Sequence, residues 1–220
     1  MKLLIWGAGA LGQILLDSFA RLPACDEIAW LVDDQPAGSR IAGLSVWGDR
    51  RQLAQAAAEG WQLAVALGRP AHRFHALALA AAAGLELATL IDPLALVSPR
   101  AELGPGCLVL PGAIINAGAV LGPGVLVHNQ VLISHHARIE RAVSLYPGAR
   151  VLGGGRIGTG AQIGAGAAIL AEAAIGDWSR VASMAAVFHP VAERTLVAGN
   201  PARVLQQLPD ADQPGWLELS

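Results

Sequence analysis

Histidine is the side chain that exchanges protons near neutral pH, and four of the six histidines here, His128, His135, His136 and His189, fall in the stretch 128–189. Two are adjacent, in Ile133-Ser134-His135-His136-Ala137; a histidine is the natural base for general acid–base work, although a protonated neighbour would lower its basicity. A second constellation opens the chain. Gly7-Ala8-Gly9-Ala10-Leu11-Gly12 follows the apolar run Lys2 to Trp6, and Asp33-Asp34 stand about twenty residues on. Backbone N–H groups at such a turn face phosphate, and acids at the strand's carboxyl edge accept from ribose or base donors. His128, His135 and His136 lack the spread that a three-histidine metal site needs, and Cys25 and Cys107 form neither a disulfide framework nor a metal motif, so no metal is expected.

Two kinds of structure must hold these groups. From Val97 every sixth residue is aliphatic, through Leu103, Val109 and Ile115 to Ile175, Val181 and Val187, sixteen positions without a break. Four residues after each stands a small one, such as Ala101, Cys107, Ala113, Gly155, Ser179 or Val191. A period of six fits neither a helix nor a plain alternating strand. It fits a short strand plus a corner, repeated around a solenoid. The aliphatic fills the interior, the small residue takes the tapering space near a corner, and Gly104-Pro105-Gly106, Pro111-Gly112 and Pro147-Gly148 suit the turns. The pattern leaves handedness open, although the rule for parallel crossovers points to right-handed.

Residues 1–91 follow another rhythm. A strand at Lys2 to Trp6, the glycine turn, a helix over about Leu11 to Leu22 and a strand at Ile28 to Val32 make a βαβ opening. A strand at Gln62 to Leu67, a helix from about Ala71 to Ala83 and a strand at Glu86 to Ile91 complete a small parallel sheet, and Asp92-Pro93 marks the joint. An α/β domain at 1–91, a solenoid at 92–205 and a C-terminal tail at 206–220 are therefore expected. A dinucleotide needs two mononucleotide halves, whereas fewer than about 95 residues precede the repeats, room for one nucleotide diphosphate.

Composition narrows the function classes. The 220 residues are 54% apolar by type, 5% aromatic and 15% charged, which excludes disorder. A formal net charge of −2, with no basic run longer than Arg50-Arg51, excludes a nucleic-acid or anionic-membrane surface. No apolar stretch runs uninterrupted for the roughly 18 residues of a spanning helix. The run Leu3 to Leu16 contains the glycine pattern of a strand–turn–helix, which a secretory signal does not need, and a reducing, cytoplasmic setting is expected.

The run Ile157-Gly158-Thr159-Gly160-Ala161-Gln162-Ile163-Gly164-Ala165-Gly166-Ala167-Ala168 and the closing Ala198-Gly199-Asn200-Pro201-Ala202-Arg203-Val204 resemble the hexapeptide-repeat acyltransferases. With Ile5-Trp6-Gly7-Ala8-Gly9, Leu31-Val32-Asp33-Asp34, Ala66-Leu67-Gly68-Arg69 and Leu90-Ile91-Asp92-Pro93 ahead of them, the chain is similar to the sugar acyltransferases that include sialic acid O-acetyltransferases and UDP-4-amino-sugar N-acetyltransferases. The resemblance implies a Rossmann-like α/β N-terminal domain holding a nucleotide sugar, then a left-handed parallel β-helix of triangular section, three hexapeptides per coil. It also implies a homotrimer that uses acetyl-CoA as acyl donor. Residues 18 apart would then stack at about 4.8 Å, the spacing of paired strands.

Carried onto this sequence, the resemblance implies substrate contacts at Gly7, Gly9, Ala10, Leu11, Asp33, Asp34 and Gly68. Coenzyme contacts are implied at Ser144, Gly153, Ala165, Ser183, Asn200 and Arg203, with Pro201 beside them. His135 becomes the general base, with His136 beside it. Its column runs Ala117, His135, Gly153, Ala171, His189, and that of His136 runs Gly118, His136, Gly154, Glu172, Pro190. Gly153-Gly154-Gly155 is therefore expected to leave an open groove whose backbone pairs with pantetheine amides and offers an oxyanion donor. Three residues depart from the group: His136 where it has an acid, Ser144 where amino-sugar enzymes have a second histidine, and His128 where asparagine is expected, Asn129 being displaced by one. Glu140, or a carboxylate from a neighbouring subunit, is the expected substitute for the acid. Acetyl transfer to the amine of a nucleotide-linked amino sugar is the expectation. The alternatives are O-acetylation of sialic acid or another sugar hydroxyl, a metal hydrolyase on the same helix, and a catalytically silent sugar-nucleotide-binding or scaffold trimer.

Overall fold

The computed structural model describes residues 1–19 and 25–210. In the N-terminal domain β1 (Lys2–Trp6) pairs in parallel with both β2 (Glu27–Leu31) and β5 (Trp61–Val65). It takes the centre because Leu3, Leu4 and Ile5 are apolar on both faces, and all three are fully buried. α1 (Ala10–Phe19) follows the glycine turn, and the end of the helix expected as far as Leu22 lies outside the described residues. β3 (Arg40–Ile41), β4 (Leu44–Gly48), a 3-10 turn at Arg50–Gln52 and α2 (Leu53–Ala58) occupy the stretch between the second and third predicted strands. α3 (Pro70–Ala82) and β6 (Glu86–Leu87) complete the domain, whose strand order is β3, β4, β2, β1, β5, β6. The single strand expected over Glu86 to Ile91 is divided. Leu90–Ile91 pairs with Leu108–Val109 as the first rung of the solenoid. Between the halves, Thr89 Oγ1 accepts from Gly106 N at 3.0 Å and donates to Gly104 O at 3.1 Å.

Sixteen two-residue strands follow, from Leu96–Val97 to Ala186–Val187, the second residue of each being the aliphatic anchor of the repeat. Each as far as Ala168–Ile169 lies parallel to the strand 18 residues on, as in Leu108↔Leu126, Leu126↔Ser144 and Ser144↔Gln162, so three strands make a coil. Anchors and small residues share one core, in which Val109, Ile133, Val151 and Ile163 sit beside Cys107, Ala137, Ala149 and Ala161 with no exposed surface. Each hexapeptide from 106 to 184 turns at a residue with left-handed φ, which defines three corner columns. The first is Gly106, Gly124, Ala142, Gly160 and Trp178; the second is Gly112, Gln130, Gly148, Gly166 and Met184; the third is Gly118, His136, Gly154 and Glu172. Thr195–Ala198 continues the first face, and Arg203–Gln207 closes it in antiparallel.

The N-terminal domain is seated on this prism. The outward residues Leu90, Leu108 and Leu126 of successive coils join one core with Leu3, Ile5, Trp30 and Val46, and Leu77 of α3 fills the space that a Cβ at Gly124 would take. Above that seat the same outward column turns polar, with Ser144, Gln162 and Arg180.

At the level of Ser144 the joint is made by Arg73 of α3, which is fully buried. Its Nε donates to Gly124 O at 2.8 Å and its Nη1 to Leu67 O at 2.7 Å. Its Nη2 donates to Ala142 O at 2.9 Å, Val143 O at 3.0 Å and Ser144 Oγ at 2.8 Å. Burial pulls the guanidinium pKa down to about 10, which still leaves it cationic at neutral pH. Arg73→Met strands several buried acceptors, each at a cost of about 1–3 kcal/mol. Chemical denaturation of that variant is expected to show a loss of at least about 3 kcal/mol. Arg73→Lys, lacking the planar fork, should recover only part of it.

Candidate active site

The first part of the site grows from the end of β1. Gly7 adopts φ 108, which L side chains rarely take, and a Cβ at Gly12 would strike Gly7 O, so both glycines are required by the backbone itself. Gly9 differs: nothing lies within 4 Å of where its Cβ would be. Its open side faces a cavity of about 420 Å³ that it lines with Trp6, Gly7, Asp33, Asp34 and Leu67. Asp33, Asp34 and Gln35 also line an adjoining cavity of about 610 Å³ that reaches Asp49, Arg51 and Gln52. Asp33 is held in place, accepting from Trp6 Nε1 at 3.4 Å and from Arg50 N at 3.1 Å. The Arg51 guanidinium clasps Asp49 and holds its carboxyl down at about 2. Ala10 and Leu11 begin α1 behind the turn, and the Gly68 carbonyl accepts from Arg73 at 3.3 Å. Trp6, Leu67, Arg51 and Gln52 are cavity residues that sequence reasoning missed. The available signal was Asp49-x-x-Gln52, which forms a capping box.

The histidine pair stands on the third corner. Ile133 anchors the strand in the core, while His135 and His136 are exposed, His136 at the corner itself with φ 57. Their rings meet edge-to-face with centroids 5.4 Å apart, and Nδ1 lies 3.2 Å from Nδ1. His135 leans over the following coil, where a Cβ on Gly153 would come within 2.6 Å of its Cε1. His136 leans over the preceding coil, where a Cβ on Gly118 would come within 2.9 Å of its Cδ2. The open groove expected along Gly153-Gly154-Gly155 is accordingly filled. Gly153 makes room for the His135 ring, Gly154 for the Glu172 carboxylate, and a Cβ at Gly155 would meet Val151 Cγ1 at 2.9 Å. Glu140 follows the strand Arg138–Ile139, on the face leading away from this corner; the carboxylate placed in the corner column is Glu172.

The expected coenzyme residues are dispersed. Ser144 is fully buried, and its hydroxyl accepts from Arg73 and donates to Gly68 O at 3.4 Å, so it belongs to the domain joint and not to a coenzyme surface. Ala165 and Ser183 do meet, lining a cavity of about 400 Å³ with Tyr146, Gln162 and Arg180 beside the second corner. Arg203 lines another of about 440 Å³ at the closing end with Phe188, His189 and Pro201, and Asn200 is exposed beside it. Within one chain the histidine pair and the Ala165–Ser183 cavity thus occupy different edges of the prism. His128 stands apart from the pair, stacked on Tyr146 with centroids 5.5 Å apart. Burial and the nearby Arg73 charge push its pKa down to about 4.

Residues 2–77 match the family model described as the PglD N-terminal domain. The acetyltransferase domain of PglB from Neisseria gonorrhoeae FA1090, solved in complex with acetyl coenzyme A, is 34% identical across 93% of this chain and 98% of its own, with a TM-score of 0.88. The chain belongs to the hexapeptide-repeat sugar acetyltransferase family. Within that family, PerB from Caulobacter crescentus, solved in complex with CoA and GDP-perosamine, is 28% identical over 94% of this chain and 98% of its own, with a TM-score of 0.86. WeeI from Acinetobacter baumannii AYE shares the fold, at 23% identity over 93% of this chain and 100% of its own and a TM-score of 0.84. No curated protein matches the chain. The solenoid is a left-handed β-helix, the opposite of what the crossover rule favours. That rule rests on the twist of ordinary strands, and two-residue strands are too short to impose it. Among the described residues no helix is long and apolar enough to cross a membrane.

Two outcomes follow for stability. Gly12→Ala, which drives a Cβ into Gly7 O, should cost about 1–3 kcal/mol, whereas Gly9→Ala should stay within about 0.5 kcal/mol of the native protein; denaturant titration checks both. His128 is neutral when folded and protonated when unfolded between about pH 4 and 6.5, so its contribution to stability is lost as pH falls through that window. Stability measured at pH 6.5 and pH 4 should fall less in His128→Phe than in the native protein, by up to about 3 kcal/mol.

Proposed function

We propose that this protein is an acetyl-CoA-dependent N-acetyltransferase that acetylates the amino group of a nucleotide-linked amino sugar, with His135 as its general base. The observation that carries the reading is the presence in one chain of the Gly9–Asp33 cavity and the exposed His135 corner, in a fold that matches PerB, solved in complex with CoA and GDP-perosamine, over nearly its whole length. In this reading the nucleotide diphosphate binds against the Gly7–Gly9 turn and the N-terminus of α1, where backbone N–H groups favour anions. Asp33 and Asp34 accept from ribose or base.

In the reaction the neutral amine attacks the thioester carbonyl carbon. A C–N bond forms as the carbonyl π pair moves onto oxygen, and His135 Nε2 takes the proton from nitrogen. Collapse of the tetrahedral adduct breaks the C–S bond, and the proton passes to the departing thiolate, leaving an amide and CoA. The Ala165–Ser183 cavity, with Arg180 on its wall, is the surface this reading gives to the coenzyme. Because that cavity and His135 stand on different edges, the reading calls for a homotrimer in which one protomer's cavity meets another's histidine pair. The exposed outward residues Leu96 and Ile114, on the face that leads to His135, are apolar surface for a second copy to cover. A cytoplasmic setting goes with this reading, supported by the free thiols of Cys25 and Cys107.

Thermal shift against UDP-, GDP-, dTDP- and CMP-linked amino sugars should single out one nucleotide, since a ligand at 100 times its Kd adds about 2.7 kcal/mol to the folded state. Thiol release from acetyl-CoA should accompany it, and His135→Ala should lower kcat by about 10²- to 10⁴-fold. Undiminished turnover in His135→Ala would remove His135 as the base, and binding without any turnover would favour a silent nucleotide-sugar-binding trimer.

A further inference from the structure

The histidine pair is seated in a way that a loose surface pair is not. His136 occupies a left-handed corner, a conformation that costs a non-glycine residue about 1–3 kcal/mol, and each ring lies over a glycine of a different coil, Gly153 beneath His135 and Gly118 beneath His136. The two seats tilt the rings toward one another until Nδ1 faces Nδ1 at 3.2 Å. Two imidazole nitrogens at that separation require one to carry hydrogen and the other a lone pair.

The direction of that hydrogen bond decides whether His135 can work as a base. If His135 Nδ1–H donates to His136 Nδ1, the His135 lone pair lies on Nε2, ready for the substrate proton. The reverse arrangement places the His135 hydrogen on Nε2 and removes the base. We infer that His136 is a positioning residue: its Nδ1 accepts from His135 Nδ1–H and so fixes the base-competent tautomer of His135, the task a carboxylate performs in other histidine bases. Among the described residues, His136 Nδ1 is the side-chain atom within hydrogen-bond distance of a His135 ring nitrogen. His136 must then be neutral with its own hydrogen on Nε2, because a protonated His136 has no acceptor at Nδ1.

The inference rests on the proposed role of His135, and its test has a readout separate from activity. Two-bond proton–nitrogen correlation spectra of the histidine rings in the full-length protein, on the neutral side of their titration, should show His135 with hydrogen on Nδ1 and His136 with hydrogen on Nε2. In His136→Ala the His135 hydrogen should move to Nε2, the form favoured by an imidazole in water, and kcat should fall about 10- to 100-fold, as when a partner that orients a functional histidine is removed. His136→Asn, whose Oδ1 can accept at the same place, should recover most of the loss and restore the Nδ1–H signal. Gly118→Ala, which pushes the His136 ring aside without removing it, should lower kcat in the same direction. A native His135 already carrying its hydrogen on Nε2, or equal kcat in His136→Ala and the native protein, overturns the inference. If the native protein acetylates no nucleotide amino sugar, the proposed function fails on its own and the spectra still decide the pairing.

Discussion

Each coil of the prism must lie on the one before it at the spacing of hydrogen-bonded strands, so a side chain at a corner can be only as large as the residues above and below it permit. This vertical constraint, repeated every 18 residues, sets more than the core. It explains why corner columns mix glycine with bulk: the Trp178 ring occupies the space beside Gly160, Met184 the space beside Gly166, and Glu172 the space beside Gly154. The same rule produces the site. Two exposed imidazoles would ordinarily sample many rotamers, but Gly153 and Gly118 offer each a place against the neighbouring coil, and the prism thereby holds their Nδ1 atoms at hydrogen-bond distance.

A rigid prism alone would place a base without placing a substrate. The N-terminal domain is fixed to it by apolar contacts along Leu90, Leu108 and Leu126 and by the buried Arg73. Arg73 binds carbonyls on both sides of the joint, Leu67 in the wall of the Gly9–Asp33 cavity and Gly124, Ala142 and Val143 in the solenoid. A single cation thus ties the Gly9–Asp33 cavity to the coils that carry the histidines. Burial of a charge is tolerable there because oriented carbonyl dipoles replace its lost water.

Much of this was legible in the residues. The sixteen aliphatic anchors and their small partners map one to one onto sixteen strands and a continuous core, because a six-residue period admits few other readings. The glycine turn, Asp33 and Asp34 fall where a βαβ unit must put them. What was not legible depended on contacts between distant coils or domains. Arg73 sits in an exposed-looking helix sequence, and only the joint reveals it as buried. Ser144 follows three leucines in its column, a polar residue after Leu90, Leu108 and Leu126, which marks the upper limit of the domain seat once the coil length is known. The glycine triple at 153–155 read as empty space because a sequence shows missing side chains and not their neighbours' occupation of the gap. The hairpin of β3 and β4 escaped notice because two-residue and irregular strands carry little periodicity.

The nucleotide-bound amino sugar, held at the Gly7–Gly9 turn, is proposed to meet a His135 corner of the assembly. A crystal structure of the full-length protein with CoA and the nucleotide amino sugar selected by thermal shift tests it most directly. The diphosphate is expected at the Gly7–Gly9 turn and the sugar nitrogen within about 3.2 Å of a His135 Nε2, or one water away. A nucleotide bound elsewhere, or a sugar nitrogen remote from every His135 in the assembly, would contradict it.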